Sequence, residues 1–151
     1  MDENKFQTII DFAIEKEQEA IDLYENARQM VKNESAQKIF ANFVEEEKKH
    51  KQFLENFDTQ NIPKATADPV ADLKISNYLV EKRFNPNMSY QDILILAMKR
   101  EEKAVELYKD LAERVIDDPE AKNLFTMLSQ EEAKHKLRLE TLYDDTLLTE
   151  N

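Results

Sequence analysis

The chain has 151 residues with no glycine, no cysteine and four prolines, and a formal charge of −11 with 35% of residues charged. The length allows one domain with a sizeable core; without glycine a glycine-rich phosphate loop is excluded and a many-turned all-β fold disfavoured, and without cysteine there are no disulfides, thiolate metal sites or cysteine nucleophiles. The acidity excludes nucleic acid as an expected partner, because phosphate contact needs clustered Lys and Arg, and leaves a self-repelling surface or an attraction for cations.

The first predicted element is a helix from about Glu3 to Val31. Steps of three and four residues trace one face: Phe6, Ile10, Ala13, Glu17, Ala20, Tyr24, Ala27 and Val31. A second helix, from about Ser35 to Phe57, carries Ala36, Phe40, Phe43, Glu47, His50, Leu54 and Phe57 on its stripe. A longer connection follows, roughly 58–88, with Pro63, Pro69 and Pro86 and a possible short helix in VADLKISNYLVEKRF. Its length suits a crossover that travels the whole bundle. The third helix begins near Ser89, where Ser89-x-x-Asp92 resembles a capping box, and runs to about Ile116. Its stripe is Leu94, Ala97, Glu101, Ala104, Tyr108, Leu111 and Val115. The fourth opens with Asp118 as cap and Pro119 as first helical residue, and runs to about Tyr143, with a fraying tail from Asp144. Its stripe is Ala121, Phe125, Leu128, Glu132, His135, Leu139 and Leu142.

The fold expected is therefore all-α: a ferritin-like four-helix bundle with a long crossover between helices two and three. One domain spans residues 1–151, with hairpins at about 3–57 and 89–143. The hairpins form a repeat. Ala13, Glu17, Ala20 and Tyr24 match Ala97, Glu101, Ala104 and Tyr108 at an offset of 84, and Phe40, Phe43, Glu47 and His50 match Phe125, Leu128, Glu132 and His135 at 85. This implies a pseudo-two-fold axis.

Each stripe is apolar or aromatic except at its centre, where every helix carries a carboxylate and two add a histidine. Off-stripe acids such as Glu15, Glu19, Glu45 and Glu55 are expected in solvent, and Glu46 and Glu131, beside the ligand Glu residues, read as surface charges, with a contact to a metal ligand as the alternative. A buried ionised carboxylate costs several kcal/mol, roughly, unless it is paired. No Lys or Arg occupies a stripe to pair with these. Two divalent metal ions balance four carboxylates, and hard oxygens with imidazole suit iron or manganese, with zinc possible. Glu-x-x-His puts both side chains on one helical face, and two such motifs facing two further Glu form the ligand pattern of ferritin-like di-iron proteins. The metal ligands expected are Glu17, Glu47, His50, Glu101, Glu132 and His135. Buried protonated Glu in a hydrogen-bond network is the metal-free alternative. For Tyr24 and Tyr108, a hydrogen bond to a ligand carboxylate and plain core packing are both open. Phe40, Phe43, Phe125 and Leu128 read as core.

On Glu17 with Ala20 and Tyr24, Glu47-x-x-His50, Glu101 with Tyr108, and Glu132-x-x-His135, the chain resembles the rubrerythrin family over both hairpins. The resemblance implies two iron ions, oxo-bridged when oxidised, that reduce hydrogen peroxide under oxidative stress. Glu47 and Glu132 would bridge them, Glu17 and Glu101 would be terminal, and each His would hold one iron. It also implies a homodimer. Lacking the four cysteines of the family's rubredoxin module, the chain needs an external electron donor such as a rubredoxin or a reductase. Ala104 stands where the family often carries a second helix-three glutamate. Ferroxidase or iron-handling activity with oxygen or peroxide as oxidant, and a metal-stabilised binding module without turnover, are the alternatives. With no apolar signal core or membrane-length stretch, a cytoplasmic location is expected.

Overall fold

The computed structural model describes residues 4–150, so the expected helix start at Glu3 lies outside them. The described elements are α1 (Lys5–Met30), α2 (Glu34–Glu55), α3 (Lys64–Ala71), a 3₁₀ turn (Ile75–Tyr78), α4 (Tyr90–Arg114) and α5 (Pro119–Glu150). The four long helices are the four expected ones, and no strand is present among the described residues. None of them is long and apolar enough to cross a membrane.

Helix starts follow capping chemistry, in which a side-chain oxygen accepts a free backbone N–H of the first turn. Ser89 Oγ accepts from Asp92 N at 3.1 Å and Asp118 Oδ1 from Ala121 N at 3.0 Å, as read from sequence. At α2 the cap is Asn33, which accepts from Ser35 and Ala36, so the helix starts ahead of Ser35. Among the described residues no backbone φ is positive. Without glycine the chain leaves α1 through an extended Val31 instead of a left-handed cap.

Two expectations are corrected. The crossover's α-helix begins ahead of the segment anticipated: Lys64–Ala71 starts directly after Pro63, whose fixed φ suits helix entry, and VADLKISNYLVEKRF contributes only that helix's last two residues, Val70 and Ala71, and a 3₁₀ turn. The tail after Tyr143 continues α5 to Glu150. No Gly or Pro after Pro119 stops it.

The buried apolar residues form two lobes. One joins Phe6, Ile10, Leu54, Leu111 and Phe125, and the other joins Tyr24, Ala27, Phe40, Leu94 and Leu139. Thus α1 and α5 run from the first lobe to the second, and α2 and α4 run back. The crossover must return the chain along the whole bundle, from Phe57 in the first lobe to Met88 and Tyr90 in the second. It is strapped to α4 by Tyr78, whose hydroxyl donates to Asp110 at 2.6 Å, and by Arg114, which donates to the Pro69 carbonyl at 2.9 Å. Between the lobes lies a polar belt.

Candidate metal centre

The belt consists of Glu17, Glu47, His50, Glu101, Glu132 and His135, each no more than 3% exposed. Each sits at the centre of a stripe whose flanking turns pack into one lobe or the other, so the helices have no choice but to aim these side chains inward. His50 Nδ1 lies 3.0 Å from Glu132 Oε1, 3.3 Å from Glu47 Oε1 and 3.7 Å from Glu17 Oε2. His135 Nδ1 lies 3.0 Å from Glu47 Oε1, 3.6 Å from Glu132 Oε1 and 3.8 Å from Glu101 Oε1.

These atoms surround common centres and are not bonded in pairs. Both Nδ1 atoms, both Glu47 oxygens, Glu17 Oε2, Glu101 Oε2 and Glu132 Oε1 are buried without a hydrogen-bond partner. So many orphaned polar atoms are not tolerated in an apolar core unless something else satisfies them. They fall into two overlapping groups, Glu17–Glu47–His50–Glu132 and Glu47–Glu101–Glu132–His135, each with its ligand atoms within 4.8 Å of one another. Ligands about 2.0–2.2 Å from one ion stand about 3 Å apart when adjacent and about 4 Å apart when opposite. The spacings and the hard O/N donor set therefore fit a pair of first-row ions.

Both tyrosines answer the open question in favour of hydrogen bonding, and the partners are crossed between hairpins. Tyr24 donates to Glu101 Oε1, and Tyr108 donates to Glu17 Oε1 at 2.5 Å. Because α1 and α4 are antiparallel, each tyrosine meets the glutamate of the other helix. Each glutamate thus has one oxygen pinned and the other buried without a hydrogen-bond partner. Burial, then the surrounding carboxylates, push both phenols well above their usual range, so they remain donors.

Burial raises the Glu47 and Glu132 carboxyls well above the ordinary value, and repulsion from Glu17 and Glu101 adds to it. For the imidazoles burial acts downward, but the carboxylates outweigh it. Glu132 and Glu17 lift His50, and Glu101 and Glu132 lift His135, each to about 10. Without metal, protons carry the neutralising charge in the belt.

Glu46 corrects the sequence reading. Its Oε2 lies 2.5 Å from His135 Nε2. A carboxylate only accepts here, so Nε2 carries a proton, and a metal that displaces the proton on the other nitrogen would take the Nδ1 lone pair. Glu131, its counterpart in the repeat, instead faces Lys134 at 4.0 Å, and His50 Nε2 has no hydrogen bond among the described residues. Glu19 is a second correction. It accepts from Arg100 at 2.6 Å and Lys16 at 2.9 Å. Burial raises its carboxyl, but the two cations outweigh that and hold it below the usual value. Glu15, Glu45 and Glu55 are exposed, as expected.

Among the comparisons with known proteins, the family model of the ferritin-like domain matches residues 7–144. Neither the curated proteins nor the solved structures give a significant match.

Proposed function

The chain belongs to the ferritin-like domain family, and from that premise we propose that its belt holds two iron ions and reduces hydrogen peroxide, as the resemblance to rubrerythrins implies. The observation that carries this reading is the overlap of the two ligand groups, which share Glu47 and Glu132 and no other residue. Glu47 and Glu132 would bridge. Glu17 with His50 and Glu101 with His135 would each complete one ion's ligand set.

Two ferrous ions held there supply the two electrons that peroxide reduction consumes. The protein's part is to hold, orient and exclude. Tyr24 and Tyr108 fix the terminal carboxylates from across the bundle. Glu46 fixes the ring and tautomer of His135. Phe43, its ring centroid 4.3 Å from that of His135, helps to keep water away. An external donor such as a rubredoxin or a reductase restores the electrons, because the chain has no cysteine for a rubredoxin site of its own. We also assign it a homodimer.

The test is anaerobic loading with Fe(II), followed by stopped-flow mixing with peroxide. Oxidation should be at least about tenfold faster than for free Fe(II) under the same conditions, a barrier difference of about 1.4 kcal/mol. Equal rates end the peroxidase reading.

One observation favours iron oxidation as a second reading. The Glu46 side chain is 42% exposed yet touches His135, so a carboxylate that a cation can reach from the surface is in contact with the belt. If iron is a substrate, the oxidised protein releases it and accepts more Fe(II). A resident cofactor stays at two ions per chain through repeated cycles.

A further inference from the structure

The hairpin repeat is broken along one line of aromatic rings. At the belt, His135 meets Tyr24 edge-on with ring centroids 6.4 Å apart, and Phe43 packs beside both, 4.3 Å from His135 and 5.1 Å from Tyr24. Tyr24 stacks on Phe40 at 6.1 Å, and Phe40 meets Tyr90 edge-on, also at 6.1 Å. Tyr90 is the first residue of α4 and is partly exposed. A file of rings thus leads from a belt histidine to a phenol at the surface.

The other half of the belt has no such file. At the offsets of the repeat, Leu128 stands where Phe43 does and Phe6 where Tyr90 does. Phe6 keeps the ring contact, 6.4 Å from Phe125, but it is 1% exposed and carries no hydroxyl. Among the described residues Tyr108 has no ring contact, and His50 has one only to His135, at 6.1 Å. The two halves therefore differ in redox chemistry. A phenol gives up an electron far more readily than a phenyl ring, because its O–H proton can leave with the electron. A phenyl ring between two phenols couples them without itself being oxidised. Burial, then Asp145, raises the Tyr90 phenol to about 12, so it keeps its proton until it is oxidised, with a carboxylate and solvent near to receive it.

We propose that Tyr24, Phe40 and Tyr90 carry stray oxidising equivalents from the belt to the surface, where Tyr90 is oxidised. The proposal rests on the reading that iron in the belt reduces peroxide. That reduction takes two electrons. Where one ferrous ion is left beside a ferric one, peroxide obtains one electron there and the second from Tyr90. One peroxide, one Fe(II), one phenol and one proton then give two waters, one Fe(III) and one phenoxyl radical. Tyr24 relays the electron. Its proton moves to Glu101 along their hydrogen bond and returns when Tyr90 refills the ring. Tyr90 loses its proton to the surface, and the external electron donor restores it there. The oxidising equivalent leaves the belt before it can attack the ligand side chains.

The test is radical trapping. The full-length protein is loaded anaerobically with Fe(II), half oxidised with ferricyanide, and mixed with peroxide in the presence of a nitroso spin trap. Trapped spin is counted by electron paramagnetic resonance, adducts are located by peptide mapping, and iron oxidation is followed in parallel. In the wild type the adducts should concentrate on Tyr90. Phe40→Leu leaves Tyr90 in place and should lose most of them. Tyr90→Phe keeps the ring and its packing, so it serves alone if Phe40→Leu misfolds. It should lose most of the trapped spin, with no gain on the partly exposed Tyr143 and no change in the rate of iron oxidation. Undiminished trapped spin in either variant, or a wild type whose iron is oxidised without an adduct on Tyr90, overturns the proposal alone. A wild type whose iron peroxide does not oxidise overturns the peroxide reading, and this proposal with it.

Discussion

At the scale of single residues, the six belt positions were legible because helical periodicity left them nowhere to go but inward, and a charge in an apolar stripe is conspicuous. The tyrosines were half legible. Their place on the stripe showed, but the crossed pairing depends on α1 and α4 running antiparallel, which no local spacing records. Glu46 was legible only as the lesser alternative to a surface charge. It is the neighbour of Glu47 and points about 100° away around the helix, and only its side-chain length brings the carboxylate back to a histidine on α5. This bond makes the two halves of the belt unequal despite the repeat. Glu46→Ala should therefore weaken one of the two metal ions by about 10–100-fold and leave the other unchanged. Glu131→Ala should weaken neither. Calorimetric titration with Mn(II) resolves the two steps, and two equal wild-type affinities would count against the assigned role.

At the scale of elements, the helix starts at Ser89 and Asp118 followed from cap residues, and the length of the 58–88 connection showed that it crosses the bundle. Its internal structure did not follow, because residues 64–84 hold their shape through tertiary bonds. The Tyr78 hydroxyl is fixed by Asp110, with burial and then that carboxylate raising its pKa, so it stays a donor. The α5 extension past Tyr143 was missed because a chain terminus is expected to fray. In the extension Thr146 instead bonds back to the carbonyl of Leu142, as Thr141 does to that of Leu137 just before it. Tyr78→Phe removes one strap without touching the belt. It should cost about 1 kcal/mol in urea unfolding and speed hydrogen exchange in residues 64–84 specifically. A uniform change across all helices would mean that the strap is not local.

At the scale of the whole molecule, the belt interrupts what would otherwise be one continuous core, and what neutralises it decides how stability responds to pH. In the metal-free protein Glu47 and Glu132 titrate above their unfolded values, so the folded state binds protons more tightly, and stability falls as pH rises above the ordinary carboxylate range. The His50 and His135 contributions are fully present below about 6.5 and are lost as pH rises through about 10. Both effects have the same sign, so the metal-free bundle should be more stable at pH 5.5 than at pH 8.5 in urea titrations. With metal bound the order should reverse, because protons compete for the same atoms. The most direct measurement of the central claim is the metal content of protein loaded with Fe(II) or Mn(II), compared between wild type and a Glu47→Gln/Glu132→Gln variant, with the urea stability of both metal-free forms. The account predicts about two ions per wild-type chain and almost none in the variant, whose metal-free fold is as stable as wild type or more so. Equal metal content in the two proteins, or a wild type that binds none, would contradict it.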